Sequence, residues 1–324
     1  MGLALGILST AKINLAVLTG ARLSDRVDVV AVASRDAARA EAYAAEHGIE
    51  RAHGSYEALL EDPGVEAVYI SLPNSLHVPW SVRALEAGKH VLCEKPLDRS
   101  PAEVERAFDA ADRAGRILME AFMYRHHPQT KRLAELVGDG AIGELRLVRS
   151  SFSFLLSDET NVRLRPELDG GALMDVGCYC LSGTRLLAGE PEAVSAQQVV
   201  GPTGVDVRFA ATMSFPGGAL AHFDSAFDLA DRGGLEAVGS EGTIVVRDPW
   251  LIREAALELQ RGDDVERIEV AQANRYQLEL ENLADAIRGE AEPLLGREDA
   301  LGQARAIDAL YRAAETGQVV RIDT

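Results

Sequence analysis

The chain has 324 residues, 47% of them hydrophobic and 26% charged, enough apolar content and length for two folded cores. A formal net charge of −18 and a pI near 4.8 exclude general affinity for nucleic acid or an anionic membrane, so any phosphate must be held by a local site. The three cysteines, Cys93, Cys178 and Cys180, lack metal-ligand spacing, so reduced thiols, no metal and a cytoplasmic setting are expected. Residues 3–8 are apolar but lack a basic leader, and no run of about 18 apolar residues occurs, so neither a leader nor a membrane span is expected.

In chain order, residues 3–7 read as a strand, 11–22 as a helix, 27–33 as a second strand and 36–47 as an alanine-rich helix ended by Gly48. Ser55 caps a short helix that stops before Pro63, residues 66–72 form another strand, and a helix follows to Gly88. Strands at 90–93 and 117–122 continue the alternation. This is the pattern of a doubly wound parallel sheet with both faces covered, a dinucleotide-type domain over residues 1–122.

Ligands of such sheets lie outside the carboxyl ends of the strands, and the candidate residues fall there. Gly6 lies near the end of strand one, and Ser9, Thr10 and Ala11 follow it. They keep the first glycine of the phosphate fingerprint and an alanine at the third, with Leu8 at the second. The amides of Ser9 to Ala11, opening the helix and helped by the Ser9 and Thr10 hydroxyls, can hold a pyrophosphate. Strand two ends in Ser34 and Arg35, with Arg39 a turn later. Two guanidinium groups there suit a 2′-phosphate, whereas a free ribose hydroxyl usually meets an acid. Leu72, Pro73, Asn74 and His77 follow the next strand; Asn74 either bonds a ribose or caps a helix, and His77 lies in that helix's first turn.

Residues 88–96, Gly-Lys-His-Val-Leu-Cys-Glu-Lys-Pro, place Glu94, Lys95 and Pro96 at the end of a buried strand. The next helix has Ser100 as its cap, Pro101 at its first position and Glu103 completing a capping box, which fixes Lys95 between two rigid elements.

After Phe122 the pattern changes. The run from Met123 to Pro128 leads into a helix to about Val137, and residues 144–155 alternate as a long antiparallel-type strand. Strands at 194–200, 206–215, 219–227, 235–238, 243–247, 256–260 and 266–270 predict a broad, mostly antiparallel sheet, with residues 216–218 as a hairpin turn. Helices at 275–288 and 299–316 and a short strand at 319–322 complete a second domain over 123–324, with the late elements able to pack on the first. Within it, Gly170 to Tyr179 sets Asp175 and Tyr179 four apart, a carboxylate beside a phenol on one helix face. A lysine cation nearby would favour the phenolate and suit it to proton transfer. Arg125, Asn161 and Arg163 are candidate substrate contacts.

The turn at 6–11, Ser34-Arg35, Glu94-Lys95-Pro96, the run from Met123 to Pro128 and Gly-Gly-Ala-Leu-Met-Asp-Val-Gly-Cys-Tyr together resemble the Gfo/Idh/MocA oxidoreductases over essentially the whole chain. The resemblance implies a Rossmann domain and a second α/β domain whose open sheet commonly forms a homodimer or homotetramer interface, with NAD(P) in the cleft between the domains. It gives Lys95 the substrate oxygen, Tyr179 the proton, and Asp175 the substrate or the tyrosine. Tyrosine rather than histidine at 179 places the chain nearer the branch that acts on sugars and diols. Ser34 and Arg39 match positions that in this branch go with NADP, NAD being the alternative. The expectation is hydride transfer between nicotinamide and a CH–OH or C=O carbon of a sugar, cyclic polyol or related diol. The alternatives are a non-catalytic NADP or sugar sensor and a sugar oxidoreductase that keeps its NADP bound.

Overall fold

A computed structural model describes residues 2–322. By contact the chain divides into two compact units. One runs to Met123 and adds Asn274–Leu301; the other comprises Tyr124–Ala273 and the stretch from Gly302 onward.

The first unit is built on a six-stranded sheet: β1 Leu3–Leu8, β2 Val27–Ala33, β3 Arg51–His53, β4 Ala67–Ile70, β5 His90–Glu94 and β6 Leu118–Ala121. The order is β3-β2-β1-β4-β5-β6 with all pairs parallel, the arrangement of a Rossmann fold. Strands β4 and β6 are buried throughout, as a sheet covered on both faces requires. β3 escapes sequence reading because Arg51-Ala52-His53 has a single apolar residue and is too short to establish a period. The helix expected from residue 11 begins at Asn14, because the amides of Asn14, Leu15 and Ala16 bond three residues back and residues 11–13 form a turn first. That helix packs on Arg275–Arg288 so closely that a Cβ at Gly20 would lie 2.7 Å from the Gln277 nitrogen.

Ser100 does cap the helix Pro101–Ala114, accepting from the Glu103 amide at 3.4 Å. The reciprocal half of the expected capping box is replaced: the Ser100 amide donates to Asp98 at 2.8 Å, and the Glu103 carboxylate pairs with Arg106 at 2.6 Å.

The second unit carries a nine-stranded sheet: β7 Leu145–Leu155, β8 Ala193–Val200, β9 Asp206–Ser214, β10 Leu220–Ala226, β11 Asp228–Gly239, β12 Thr243–Val246, β13 Ala256–Arg261, β14 Asp264–Glu269 and β15 Val320–Arg321. Its order is β14-β13-β12-β11-β7-β10-β9-β8-β15. The central strand β7 is antiparallel to β11 but parallel to β10, so the sheet is mostly rather than wholly antiparallel. β9 and β10 are joined by the expected turn at Pro216–Gly218, where Gly217 and Gly218 have φ of 85° and 88°. β11 is far longer than residues 235–238; its first half is polar, glycine-containing and exposed, so it lacks an apolar signature. The helix Cys178–Ala188 packs on this sheet almost wholly buried.

No helix among the described residues is long and apolar enough to cross a membrane. No described group of three or more His, Cys, Asp or Glu could hold a metal ion.

Candidate active site

The first unit gathers its candidate residues at the carboxyl ends of β1, β2, β4 and β5. Gly6 lies within β1, and Ser9, Thr10 and Ala11 follow it. Ser9 takes a φ of 136°, and its hydroxyl pairs with the Ser71 hydroxyl at 2.7 Å while accepting from the Ala11 amide at 3.1 Å. Asn14 closes the network: its Nδ2 donates to the Ser9 carbonyl at 2.9 Å and its Oδ1 accepts from Ser71 at 2.6 Å. The Ser9 side chain therefore shapes the turn. Sequence reading missed Asn14 and Ser71, although a polar residue on a helix face otherwise made of Val17, Leu18 and Ala21 was a usable signal.

At the end of β2, Ser34 is buried and its hydroxyl accepts from the Asp36 amide at 3.3 Å, while Arg35 and Arg39 are exposed. The neighbouring carboxylate, Asp36, is occupied as a helix cap, accepting from the Arg39 amide at 3.2 Å. The two guanidinium groups outnumber this one carboxylate, a net positive strand end that suits a 2′-phosphate.

Leu72 and Pro73 lead from β4 into a single turn at Asn74–Leu76, and His77 starts the helix His77–Glu86. His77 is turned inward. Its Nδ1 faces the Pro96 carbonyl at 2.9 Å and its Nε2 the Leu72 carbonyl at 2.8 Å; burial lowers its pKa to about 4, against the pull of both carbonyls. Held between the two carbonyls, with a single N–H in its neutral form to donate to one of them, the ring ties the β4 loop to the loop after β5.

That tie is one of three anchors around Lys95. Glu94 accepts from the fully buried Tyr69 hydroxyl at 2.5 Å, the Pro96 carbonyl meets His77, and the Leu97 amide donates to Glu120 at 2.7 Å. The Lys95–Pro96 peptide is cis. Facing Glu94 electrostatically is Glu279, fully buried; burial and then Glu94 push its carboxyl well above the usual range, against the pull of Arg275. Neither Tyr69 nor Glu279 was legible from sequence, because each belongs to an element whose packing partner is distant in the chain.

The second unit holds the remaining candidates. Arg125 follows Tyr124 in the turn Met123–His126, and both bond the Ser182 hydroxyl, Tyr124 at 2.8 Å and Arg125 at 3.3 Å. Asn161 caps a short turn by accepting from the Arg163 amide at 3.1 Å, and Arg163 Nε donates to Asp175 at 2.6 Å. Asp175 stands in a single π-turn, Leu173–Gly177, that leads into Cys178–Ala188; π-turns of this kind recur at functional sites. One residue into that α-helix, Tyr179 is 6% exposed and its ring packs among Phe152 at 5.5 Å, Tyr124 at 5.7 Å and Trp250 at 6.0 Å. Trp250 is itself fixed by donating to the Ser151 carbonyl at 2.9 Å. Asn161, Arg163 and Asp175 thus form one linked polar set, and Tyr124 and Arg125 meet at the Ser182 hydroxyl.

Two family models match. One, described as an oxidoreductase family with an NAD-binding Rossmann fold, covers residues 9–122; the other, the GFO/IDH/MocA C-terminal domain, covers residues 130–245. The chain belongs to the GFO/IDH/MocA oxidoreductase family. Among relatives of this oxidoreductase is D-xylose 1-dehydrogenase (NADP(+)) 2 of Haloferax volcanii, 41% identical over 98% of this chain and 99% of that one. A solved aldose-aldose oxidoreductase from Caulobacter crescentus, complexed with glycerol, superposes with a TM-score of 0.93 at 31% identity, covering 99% of this chain and 100% of that one. A 3-ketoreductase from Actinomadura kijaniata, in complex with NADP and TDP-benzene, gives a TM-score of 0.91 at 31% identity over 97% and 98% of the two chains.

Proposed function

We propose that this family member is an NADP-dependent dehydrogenase or reductase acting on a CH–OH or C=O carbon of a sugar, cyclic polyol or related diol. Support comes from relatives named as sugar oxidoreductases, from the NADP in the ketoreductase complex, and from the cationic end of β2. Bound NADP supplies or accepts the hydride. Ser34, Arg35 and Arg39 hold its 2′-phosphate, and Gly6, Ser9, Thr10 and Ala11 shape the turn that takes the pyrophosphate. Leu72, Pro73, Asn74 and Glu94 border the nicotinamide end, with His77 behind them.

In the oxidative direction the carbinol carbon loses a hydride and its hydroxyl loses a proton to Tyr179. Lys95 stabilises the negative charge that develops on that oxygen. Asp175, oriented by Arg163, accepts a hydrogen bond from a neighbouring substrate hydroxyl, and Arg125, Asn161 and Arg163 are the substrate contacts. The reverse reaction returns the proton from Tyr179. The observation that carries this reading is the anchoring of residues 94–97 on Tyr69, His77 and Glu120, an outlay of buried polar contacts that a solvated loop lysine does not need.

We assign residues 1–122 to cofactor binding and residues 123–324 to substrate binding and self-assembly, Asn274–Leu301 within the latter stretch packing in the first unit. Copies associate through the open face of the nine-stranded sheet, where Leu147, Thr212, Leu220, His222 and Val319 line a groove; Leu220 is 54% and Val319 69% exposed. The setting is cytoplasmic.

The test is a panel of aldoses, inositols, ketosugars and diols with NADP and NAD in parallel, followed by nicotinamide absorbance. Turnover of at least one polyol or ketosugar with NADP preferred is expected. NADPH binding without turnover of any, undiminished in Tyr179→Phe, would instead mark a sensor.

A further inference from the structure

The helix that carries Asp175 and Tyr179 starts without a local cap. Ala172 occupies its cap position and offers no side-chain bond, and Gly170 and Gly171 precede it. Orphan amides at a buried helix start must find an acceptor somewhere. Here the acceptor comes from another element: Asp206, the first residue of β9 and 4% exposed, takes the Leu173 amide on Oδ2 at 2.7 Å. Its Oδ1 accepts from the Tyr311 hydroxyl at 3.0 Å, which reaches over from the helix Arg297–Thr316. Asp206 therefore joins the start of the π-turn to a strand and to the last helix at once.

Gly171 is shaped to this contact. Its φ is 129°, and a Cβ there would lie 2.1 Å from Asp206 Oδ1 and 3.2 Å from the Tyr311 hydroxyl. Gly171 thus makes room for the carboxylate, while Gly170 makes room for the Arg163 carbonyl, 2.3 Å from where its Cβ would lie. A second tether runs in parallel: Gln303, also on the last helix, donates to the Cys178 carbonyl at 2.8 Å, next to Tyr179.

We propose that Asp206, supported by Tyr311, is a positioning residue for the reaction: a long-range cap that sets the angle of the π-turn and so the placement of Asp175 and Tyr179. The proposal rests on the reading of those two residues given above. Asp206 touches neither substrate nor cofactor in this scheme; it acts through the backbone of residues 172 and 173. Burial pushes its pKa up to about 6, while the Leu173 amide and the Tyr311 hydroxyl draw it down, so the carboxylate is present at pH 7.5.

The test uses the full chain at pH 7.5 in four forms: wild type, Asp206→Ala, Asp206→Asn and Tyr311→Phe. Amide exchange by mass spectrometry and steady-state kinetics are measured on each, the kinetics with NADP and the best substrate of the panel. Asp206→Ala is expected to raise exchange across 172–180 at least about tenfold, with β1 to β6 unchanged. It should lower kcat about tenfold or more and leave KM for NADP within about twofold, tenfold being about 1.4 kcal/mol. Asp206→Asn keeps an acceptor for Leu173 and should restore both readouts to within about threefold of wild type. Tyr311→Phe should fall between. Unchanged exchange at 172–180 in Asp206→Ala overturns the cap, whatever the activity. Raised exchange with unchanged kcat overturns the positioning role. A wild type silent on every substrate sinks the reading of Asp175 and Tyr179 and with it the positioning role, while the exchange result separately decides the cap. If Asp206→Ala does not fold, Tyr311→Phe and Asp206→Asn carry the same comparison.

Discussion

Arg35 and Arg39 are exposed at the end of β2, beside a buried Ser34 and an Asp36 committed to capping. Charge-assisted bonds to a phosphate contribute about 1.5–3 kcal/mol each, so the double change Arg35→Ala with Arg39→Ala is expected to raise KM for NADP by about 100-fold. KM for NAD should move less than about threefold. Parallel titrations with the two cofactors check this, and equal losses for both would place the arginines elsewhere in the cofactor's path. These residues were legible because an adjacent pair of cues, strand end and helix start, fixed where Ser34, Arg35 and Arg39 had to lie. Ser71, Glu279 and Asp206 were not, since each acts through a buried partner 33 to more than 50 residues away, or, for Glu279, through Glu94 on another element.

Among the elements, the π-turn and its cap give the clearest pH signature. Asp206 has a folded pKa of about 6 against an ordinary value of 3.8, so the folded chain holds its proton more tightly than the unfolded one. Its contribution to stability is fully present below about pH 4 and is lost as the pH rises to about 6, a difference of about 3 kcal/mol. Facing it are the Tyr311 hydroxyl and the amides of Ala172 and Leu173. Asp206→Asn should therefore flatten the fall in stability between pH 4 and 6, read by urea denaturation across that range; an unchanged slope would mean the side chain does not titrate there. Regular elements such as β2 and the helix Arg275–Arg288 follow their apolar period and caps closely enough to be read directly. The start of the first helix and the polar half of β11 do not, because a turn bonded three residues back and an exposed, glycine-containing strand leave no period to detect.

Across the whole molecule, 51 acidic against 33 basic side chains leave a surface that repels polyanions, while the groove around Leu220 offers apolar contact. Self-association should therefore be apolar in origin and persist at high salt. Leu220→Glu is expected to convert the assembly to monomer by light scattering, since an ionised side chain at each copy would have to be desolvated at the contact. A wild type that is monomeric throughout, or a variant that assembles unchanged, would remove the sheet face from the interface. The two-unit division was partly visible as the change from alternating strands and helices to a run of strands. The return of Asn274–Leu301 to the first unit was expected only in outline, as late elements able to pack on the first domain, because a helix's periodicity says which face is apolar and not what covers it.

The most direct measurement compares Lys95→Met and Tyr179→Phe with wild type on one substrate, pairing turnover with NADPH affinity by fluorescence. Both variants should bind NADPH within about fivefold of wild type, yet lose about 100-fold or more in kcat, the range expected when a proton-transfer or charge-stabilising group is removed. Full turnover in either variant would contradict the account.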